Sequence, residues 1–227
     1  MIQPDFLALH AWWPALLWGA GFTLALSAAA AVAGLGLGLR IACGWARSSG
    51  PRALAAVVSV YVKPIRSTPL IVQLIFICFG LASLGLKLSP ELAAISERVV
   101  KLGAYAAEIV RAGIATPPQG QLEAARSPAL TEAQALTRVV LPPALGRVWP
   151  ALVSQIVIVM PGSAVCGQIS AQELSYAANL IQGPNFRAFE AYTMATVSYL
   201  GVSIGVRTLL NWVGPMFIFD RLPNAGH

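Results

Sequence analysis

Long runs without a single charged residue limit what this chain can fold into more than any other feature. One run extends from Ala15 to Leu39, another from Val148 to Gln172, and a shorter one from Ala191 to Val206. An α-helix needs about 20 mainly apolar residues to cross a bilayer. A soluble domain carries about a quarter charged residues, whereas this chain has 11% charged and 57% hydrophobic residues. The runs therefore predict an all-α, polytopic membrane protein.

Five membrane-spanning helices are predicted within a single transmembrane domain, residues 1–227. A further charge-free run, Ser67 to Leu86, follows Ala53 to Val62, and Ser89-Pro90 is typical of a helix start. Pro161-Gly162 interrupts the fourth span, while Gly34, Gly36 and Gly38 predict close helix packing in the first. The predicted spans are residues 15–40, 53–86, 90–114, 144–168 and 190–212.

The third span is charged, which hydropathy alone would not predict for a membrane helix. At about 100° per residue its polar side chains gather on one face: they are Glu97, Lys101, Tyr105, Glu108 and Arg111, with Arg98 about 100° from Glu97. One interpretation is a polar wall of a translocation path, because charges inside a membrane face a bundle interior or a watery cavity. The alternative is an outer interface where Glu97 and Lys101 pair at i,i+4.

Four polar residues have further candidate roles. Glu108 and Arg111 are spaced for an i,i+3 salt bridge, either structural or part of a gate. Arg66, just before Pro69, has the same two interpretations. Ser163 lies at the interruption of the fourth span and is a candidate substrate contact.

The distribution of basic residues predicts the orientation of the chain in the membrane. With the N-terminus outside, eleven basic residues fall on the inner side and four on the outer side. The inner residues are Arg40, Arg47, Arg52, Lys63, Arg66, Arg111, Arg126, Arg138, Arg147, Arg207 and Arg221, and the outer ones are Lys87, Arg98, Lys101 and Arg187. The sequence therefore predicts an outside N-terminus and a cytoplasmic C-terminus.

The inner loop at residues 115–143 has the pattern of a docking surface. A short helix is expected between Gly120 and Pro128, and a second should begin at Thr131, because Thr131-Glu132-Ala133-Gln134 has capping-box spacing. This second helix should end near Val140, before Leu141-Pro142-Pro143. A connector without a docking role is the alternative.

Several motifs resemble the permease subunits of ABC importers, specifically the polar amino-acid type. The cytoplasmic signature of that family is Glu-Ala-Ala, three residues, Gly, nine residues, then Ile-x-Leu-Pro. Here Glu123-Ala124-Ala125 is followed by Val139 and Leu141-Pro142 at the matching distances. Three longer stretches resemble the second, third and last helices of the family: Arg66 to Leu74, Gly103 to Ile114 and Asn185 to Tyr192.

This chain departs from the family pattern at four places. Ala129 replaces the signature glycine and Pro128 precedes it. Pro161 to Val165 stands where the family commonly has Lys-Asp-Thr-Ser-Leu, and Glu97, Arg98 and Lys101 occupy a region that is usually uncharged. The last two departures concern substrate contacts more than coupling, and they are compatible with the less active half of a heterodimeric pore.

The resemblance implies a five-helix, type I importer permease in a bacterial inner membrane, with a cytoplasmic coupling helix and no catalytic activity of its own. The implied partners are a cytoplasmic ATPase dimer that binds ATP and Mg²⁺, a second permease subunit (identical or homologous), an external solute-binding protein, and an amino-acid substrate. The resemblance implies no cofactor or metal in this chain and no nucleic-acid partner. The implied coupling residues are Glu123, Ala124, Ala125, Arg126, Ala129, Leu141 and Pro142. The alternatives are a permease for another small solute, an ion-driven carrier and a membrane-embedded enzyme. A carrier should show two comparable halves, and no such repeat is evident.

Overall fold

A computed structural model describes residues 7–47, 58–115 and 130–218, which form helices and no strand. Helix α1 is Trp13–Arg47 and follows a 3-10 turn at Leu7–Trp12; α2 consists of the π-helical Val58–Val62 and the α-helical Lys63–Ser67; and α3 consists of Leu70–Ile75, the π-helical Phe76–Gly80 and Leu81–Ser83. Helix α4 is Pro90–Ala115, and α5 consists of Glu132–Gln134, the π-helical Ala135–Val140 and Leu141–Val159. A 3-10 segment follows at Pro161–Ile169, α6 is Leu174–Asn185, and α7 is Ala188–Ile218.

Three stretches among the described residues are helical, long and apolar enough to cross a membrane. They are His10–Ala46, Glu132–Ile169 and Ala188–Gly214, and a fourth results if the bent pair Val60–Ser67 and Leu70–Ser83 counts as one span. Helix α4 is 26 residues long, but its charged residues keep it out of this group. The count of five spans therefore stays a prediction that depends on α4.

The second predicted span is broken at Thr68-Pro69. The helical pieces on its two sides are bent by 116°. Proline at 69 disfavours a helical backbone at Thr68, and the backbone of Pro69 itself is extended, with φ −61° and ψ 143°. The side-chain amide of Gln73 donates to the Thr68 carbonyl oxygen at 3.2 Å and to its hydroxyl, so part of the freed backbone is satisfied from inside α3.

Helix α5 begins where the sequence predicted but does not end where it predicted. The capping box is confirmed, because the Thr131 hydroxyl accepts from the Gln134 N–H and the Gln134 side chain accepts from the Thr131 N–H. The predicted end near Val140 is wrong, since the helix continues through Pro142 and Pro143. A π-helical turn precedes the prolines, and the Leu141 N–H bonds to the Leu136 carbonyl five residues back. The wider turn gives room for the proline rings.

Helix α6 is an element that the sequence interpretation did not include. Its first turns bury Leu174, Ala177, Ala178 and Ile181, which have the i, i+3, i+4, i+7 spacing of an amphipathic helix. The interruption of the fourth span is confirmed, because α5 ends at Val159 and a 3-10 segment begins at Pro161. That segment ends at Ile169, and the next residue, Ser170, has a left-handed backbone with φ 64°.

The chain divides into two units, each made of three separate stretches. The first unit comprises Met1–Ala31, Thr68–Arg98 and Val157–Val206. In one of its cores, Leu16 packs with the buried face of α6 and with Ala191 and Ala195 of α7. In the other, Leu74 and Ala94 pack with Cys166 and Ala171. The 3-10 segment and α6 thus each bury one face in the cores of this unit.

The second unit comprises Val32–Ser67, Val99–Ile156 and Arg207–His227. Its core holds residues from α1, α4 and α5, with Ala42, Val110 and Leu152 among them. The predicted close packing of α1 is confirmed at Gly34 and Gly38. A Cβ at Gly38 would lie 2.6 Å from the Ala106 Cβ, and one at Gly34 would lie 3.0 Å from the Leu102 Cβ, whereas Gly36 has open space beside it.

Candidate functional site

The charged face of α4 divides into a fully buried part and a half-exposed part. Helix α4 starts as predicted, with the Ser89 hydroxyl accepting from the Leu92 N–H at 3.3 Å. Glu97 and Arg98 are both 0% exposed and belong to the first unit. Side chains that reach a membrane interface would be exposed in the isolated chain, so an interfacial position does not fit these two. Lys101, which belongs to the second unit, is only half-buried.

Arg98 is the largest fully buried side chain among the described residues. Its Nη2 group lies 3.6 Å from the Cys166 Sγ atom, a weak acceptor on the 3-10 segment. Its Nε and Nη1 groups have no hydrogen-bond partner in the part of the chain that the structure describes. The sequence placed Arg98 at one edge of the polar side of α4, and the fold buries it beside the interruption of the fourth span.

Ser163 lies on the same buried face of the 3-10 segment as Cys166. A 3-10 helix has three residues per turn, so these two side chains are eclipsed, and both are fully buried. The Ser163 hydroxyl is 3.4 Å from the Glu173 Oε2 atom and 3.4 Å from the Tyr199 hydroxyl. Its position at the interruption is as predicted, but its neighbours are a carboxylate and a phenol that the sequence interpretation did not include.

Glu173 is a buried carboxylate whose two oxygens are both used by the first unit. Its Oε1 atom accepts from the backbone N–H groups of Ser175, at 2.8 Å, and Tyr176, at 3.0 Å, and from the Ser175 hydroxyl. Its Oε2 atom accepts from the Tyr199 hydroxyl of α7 as well as from Ser163. Glu173 therefore joins the 3-10 segment, α6 and α7.

The N-terminus of α6 has donors that a helix leaves unsatisfied, and the surrounding side chains fill them. Besides the two N–H groups bound by Glu173, the Leu174 N–H donates to the Thr23 hydroxyl of α1 at 3.2 Å. Glycine at 167 permits this arrangement, because a Cβ there would lie 2.5 Å from the Ser175 Oγ and 3.1 Å from the Glu173 Oε1 atom.

One signal in the sequence could have identified Glu173. It is the only charged residue between Arg147 and Arg187, and an ionisable residue within an apolar stretch of a membrane protein is by default a candidate functional residue. Tyr199 carries no comparable signal, because a tyrosine in an apolar helix is common. Its role emerges only from its contact with Glu173, 26 residues earlier.

The second unit holds a cluster of charged and aromatic side chains. Arg111 forms two hydrogen bonds to Glu108, at 2.9 and 2.6 Å, which confirms the predicted i,i+3 pair. The Arg111 guanidinium also lies 5.5 Å from the centre of the Trp45 ring of α1. Arg66 of α2 lies 5.2 Å from the centre of the Tyr105 ring. The cluster thus connects three helices through cation–π contacts and a partly exposed ion pair.

The coupling residues are only partly within the described structure. Glu123, Ala124, Ala125, Arg126 and Ala129, together with the first of the two short helices expected in the loop, lie outside the described residues. Leu141 and Pro142 are half-buried at the point where α5 changes from π-helical to α-helical, and Leu141 packs against the core of the second unit. In residues 7–47, 58–115 and 130–218, no group of three or more His, Cys, Asp or Glu side chains could hold a metal ion.

Long apolar helices, a buried charged helix and an interrupted span define a polytopic membrane protein of the transport class. The family described as "Binding-protein-dependent transport system inner membrane component" matches residues 34–218. The chain belongs to this family and is the membrane permease subunit of an ABC importer. ATP hydrolysis takes place in a partner chain, an ATPase, and the importer also uses a solute-binding protein. The protein is a multi-pass protein of the inner membrane.

Relatives with curated descriptions and solved structures support the same assignment. The glutamine transport system permease protein GlnP of Escherichia coli (strain K12) is 33% identical over 211 residues, which cover 92% of this chain and 95% of the relative. The L-cystine transport system permease protein TcyB of Bacillus subtilis (strain 168) is 35% identical over 171 residues, with 75% and 72% coverage. A crystal structure of an amino acid ABC transporter aligns with a TM-score of 0.83 at 34% identity, over 93% of this chain and 98% of that chain.

Proposed function

We propose that this chain forms part of the translocation path for a polar amino acid. The observation that carries the proposal is the 33% identity to a glutamine permease over nearly the whole of both chains, with a cystine permease among the other relatives. The fully buried Glu97 and Arg98 support it, because uncommon buried charges inside a membrane protein are typical of a substrate pathway. Arg66, Lys101, Tyr105, Glu108, Arg111 and Ser163 are the other proposed pathway or gating residues.

In this proposal the cytoplasmic loop docks on a groove of the ATPase dimer. The small side chains of Ala124 and Ala125 permit a close approach, while Glu123 and Arg126 supply complementary charges at the rim. Ala129, Leu141 and Pro142 complete the proposed coupling region. The half-buried position of Leu141 at the start of the α-helical part of α5 supports a rigid connection between the loop and the span.

The assembly would contain a second permease subunit, either another copy of this chain or a homologue. Purification of the complex through this chain, followed by mass spectrometry, should identify the second permease, the ATPase and the binding protein. The complex, reconstituted in liposomes, should then hydrolyse ATP faster when the binding protein carries L-glutamine or L-cystine. Stimulation by a solute that is not an amino acid, with none by a panel of amino acids, would refute the proposed substrate class.

The proposed orientation has the N-terminus outside and the C-terminus in the cytoplasm, with residues near Ser48 and Gln134 inside and those near Lys87 and Asn179 outside. Ala133 and Lys87 are both exposed, so each can be replaced by cysteine after Cys43, Cys78 and Cys166 are removed. An impermeant maleimide applied to intact cells should label the Lys87→Cys variant and not the Ala133→Cys variant. The reverse pattern would overturn the orientation.

A further inference from the structure

Arg98 is a buried cation with more hydrogen-bond donors than its surroundings fill. Its side chain is 0% exposed, and its one hydrogen bond within the described residues is to the Cys166 sulfur at 3.6 Å. The Nε and Nη1 groups have no partner there. A guanidinium removed from water is strongly destabilising unless an anion with well-placed oxygens meets it. We therefore expect an anion to accept hydrogen bonds from the Nε and Nη1 groups of Arg98.

The acidic residues near Arg98 do not bind these donors. Glu97 precedes Arg98 directly, and side chains at i and i+1 of a helix diverge by about 100° and do not face each other. Both oxygens of Glu173 accept hydrogen bonds from other groups, namely the start of α6 on one side and Ser163 and Tyr199 on the other. Neither Glu97 nor Glu173 is therefore the anion that accepts the remaining hydrogen bonds of Arg98.

Other positions in the first unit that could bind an anion are already filled. A helix N-terminus attracts carboxylates, but the N-terminus of α6 is occupied by the Glu173 carboxylate and the Thr23 hydroxyl. Arg187 pairs with Glu190 at 3.4 Å. Among the described residues of this unit, Arg98 is the buried cation with donors left over.

Arg98 also lies beside the interruption of the fourth span. It touches the 3-10 segment that interrupts the fourth span, one 3-10 turn from Ser163. Interrupted helices commonly form the substrate sites of membrane transporters, because their freed polar groups line a cavity. We infer that Arg98 binds the carboxylate of the transported amino acid. The inference rests on the proposed function, since it assumes that the solute is an amino acid.

The test measures binding to the permease–ATPase complex without the solute-binding protein, whose own recognition of the solute would otherwise dominate. The two probes are L-glutamine and L-glutaminamide, which has a carboxamide where L-glutamine has its carboxylate. The wild-type complex should bind L-glutamine more tightly. Arg98→Gln should weaken L-glutamine binding by at least about tenfold, because a charge-assisted hydrogen bond is lost, and should change L-glutaminamide binding little. Arg98→Lys should retain part of the preference.

A control variant and a double variant separate this role from a structural one. Arg187→Gln removes a positive charge from the same unit and should leave the preference for L-glutamine unchanged. If Arg98→Gln fails to assemble, the double variant Glu97→Gln/Arg98→Gln removes both buried charges and is the one to measure. Removing the negative charge of Glu97 alone would strengthen the binding of an anion. A loss of the preference for L-glutamine in the double variant is therefore due to the removal of Arg98.

A double variant or an Arg98→Gln variant that still prefers L-glutamine as strongly as the wild type would overturn the inference. That result would make Arg98 a structural residue. Failure of the proposed function looks different, because the reconstituted wild-type importer would then respond to no amino acid in the panel.

Discussion

The contact between Tyr199 and Glu173 should contribute measurably to the stability of the first unit. Tyr199→Phe removes the phenolic hydroxyl and nothing else. The Glu173 Oε2 atom would keep only the Ser163 hydroxyl, at 3.4 Å. The carboxylate would remain fully buried, and it would still hold the start of α6 through Oε1. The substitution therefore removes the contact between α7 and Glu173 but leaves the contacts between Glu173 and α6 in place.

The expected size of the effect follows from the charge and burial of the acceptor. A hydrogen bond to a charged group contributes about 1.5–3 kcal/mol to stability, and a buried acceptor left short of donors adds a desolvation cost. For a domain of this size, 1 kcal/mol corresponds to about 2–4 °C in melting temperature. Tyr199→Phe should therefore lower the melting temperature of the purified complex by about 3–12 °C.

Tyr192→Phe provides the matched control for this measurement. Tyr192 is on the same helix and its hydroxyl also donates to a side chain, the Asn179 Oδ1 atom at 2.7 Å, but the residue is 41% exposed. Water replaces that bond, so the melting temperature should fall by about 2 °C or less. Heating followed by size-exclusion chromatography measures both variants. Equal shifts would refute the buried-carboxylate explanation.

Three further substitutions test other parts of the structure. Gly38→Ala should destabilise the complex by about 1–3 kcal/mol through overpacking, because its Cβ would lie 2.6 Å from the Ala106 Cβ, whereas Gly36→Ala meets open space and should be neutral in the same melting assay. Lys101→Met should reduce amino-acid uptake with complex yield unchanged, and uptake at the wild-type rate would argue against a pathway role for Lys101. Glu123→Arg should uncouple ATP hydrolysis from uptake, and unchanged solute-stimulated ATPase activity together with unchanged uptake would contradict the coupling proposal.

The parts of the fold that follow from local sequence were predictable. The charge-free runs, the proline-glycine interruption at residues 161–162 and the capping box at Thr131 each depend on backbone geometry or solvation within a few residues. The Glu108–Arg111 pair is equally local, because the two side chains lie within one turn of the same helix. Such features have the same energetic basis in an isolated helix as in the folded protein.

In two places a proline had an effect on the backbone that the local pattern did not predict. The proline pair at residues 142–143 usually ends a helix, but the π-helical turn before it relieves the clash that proline causes. The charge-free residues 67–86 contain a break at Thr68-Pro69 that hydropathy does not register. In both places the backbone responds to a proline in a way that a residue count does not capture.

The candidate site was set by tertiary structure. The sequence grouped Glu97, Arg98 and Lys101 as one charged region of α4, whereas the fold buries Glu97 and Arg98 fully and leaves Lys101 half-buried. Arg98 meets Cys166 across 68 residues of chain, and Tyr199 meets Glu173 across 26. Helical periodicity gives the direction in which a side chain points from the helix axis. Whether that side chain is buried depends on which distant segment packs against that side of the helix. The sequence alone thus determined that the chain is helical and spans a membrane, while packing between distant segments decided which of its charges are buried.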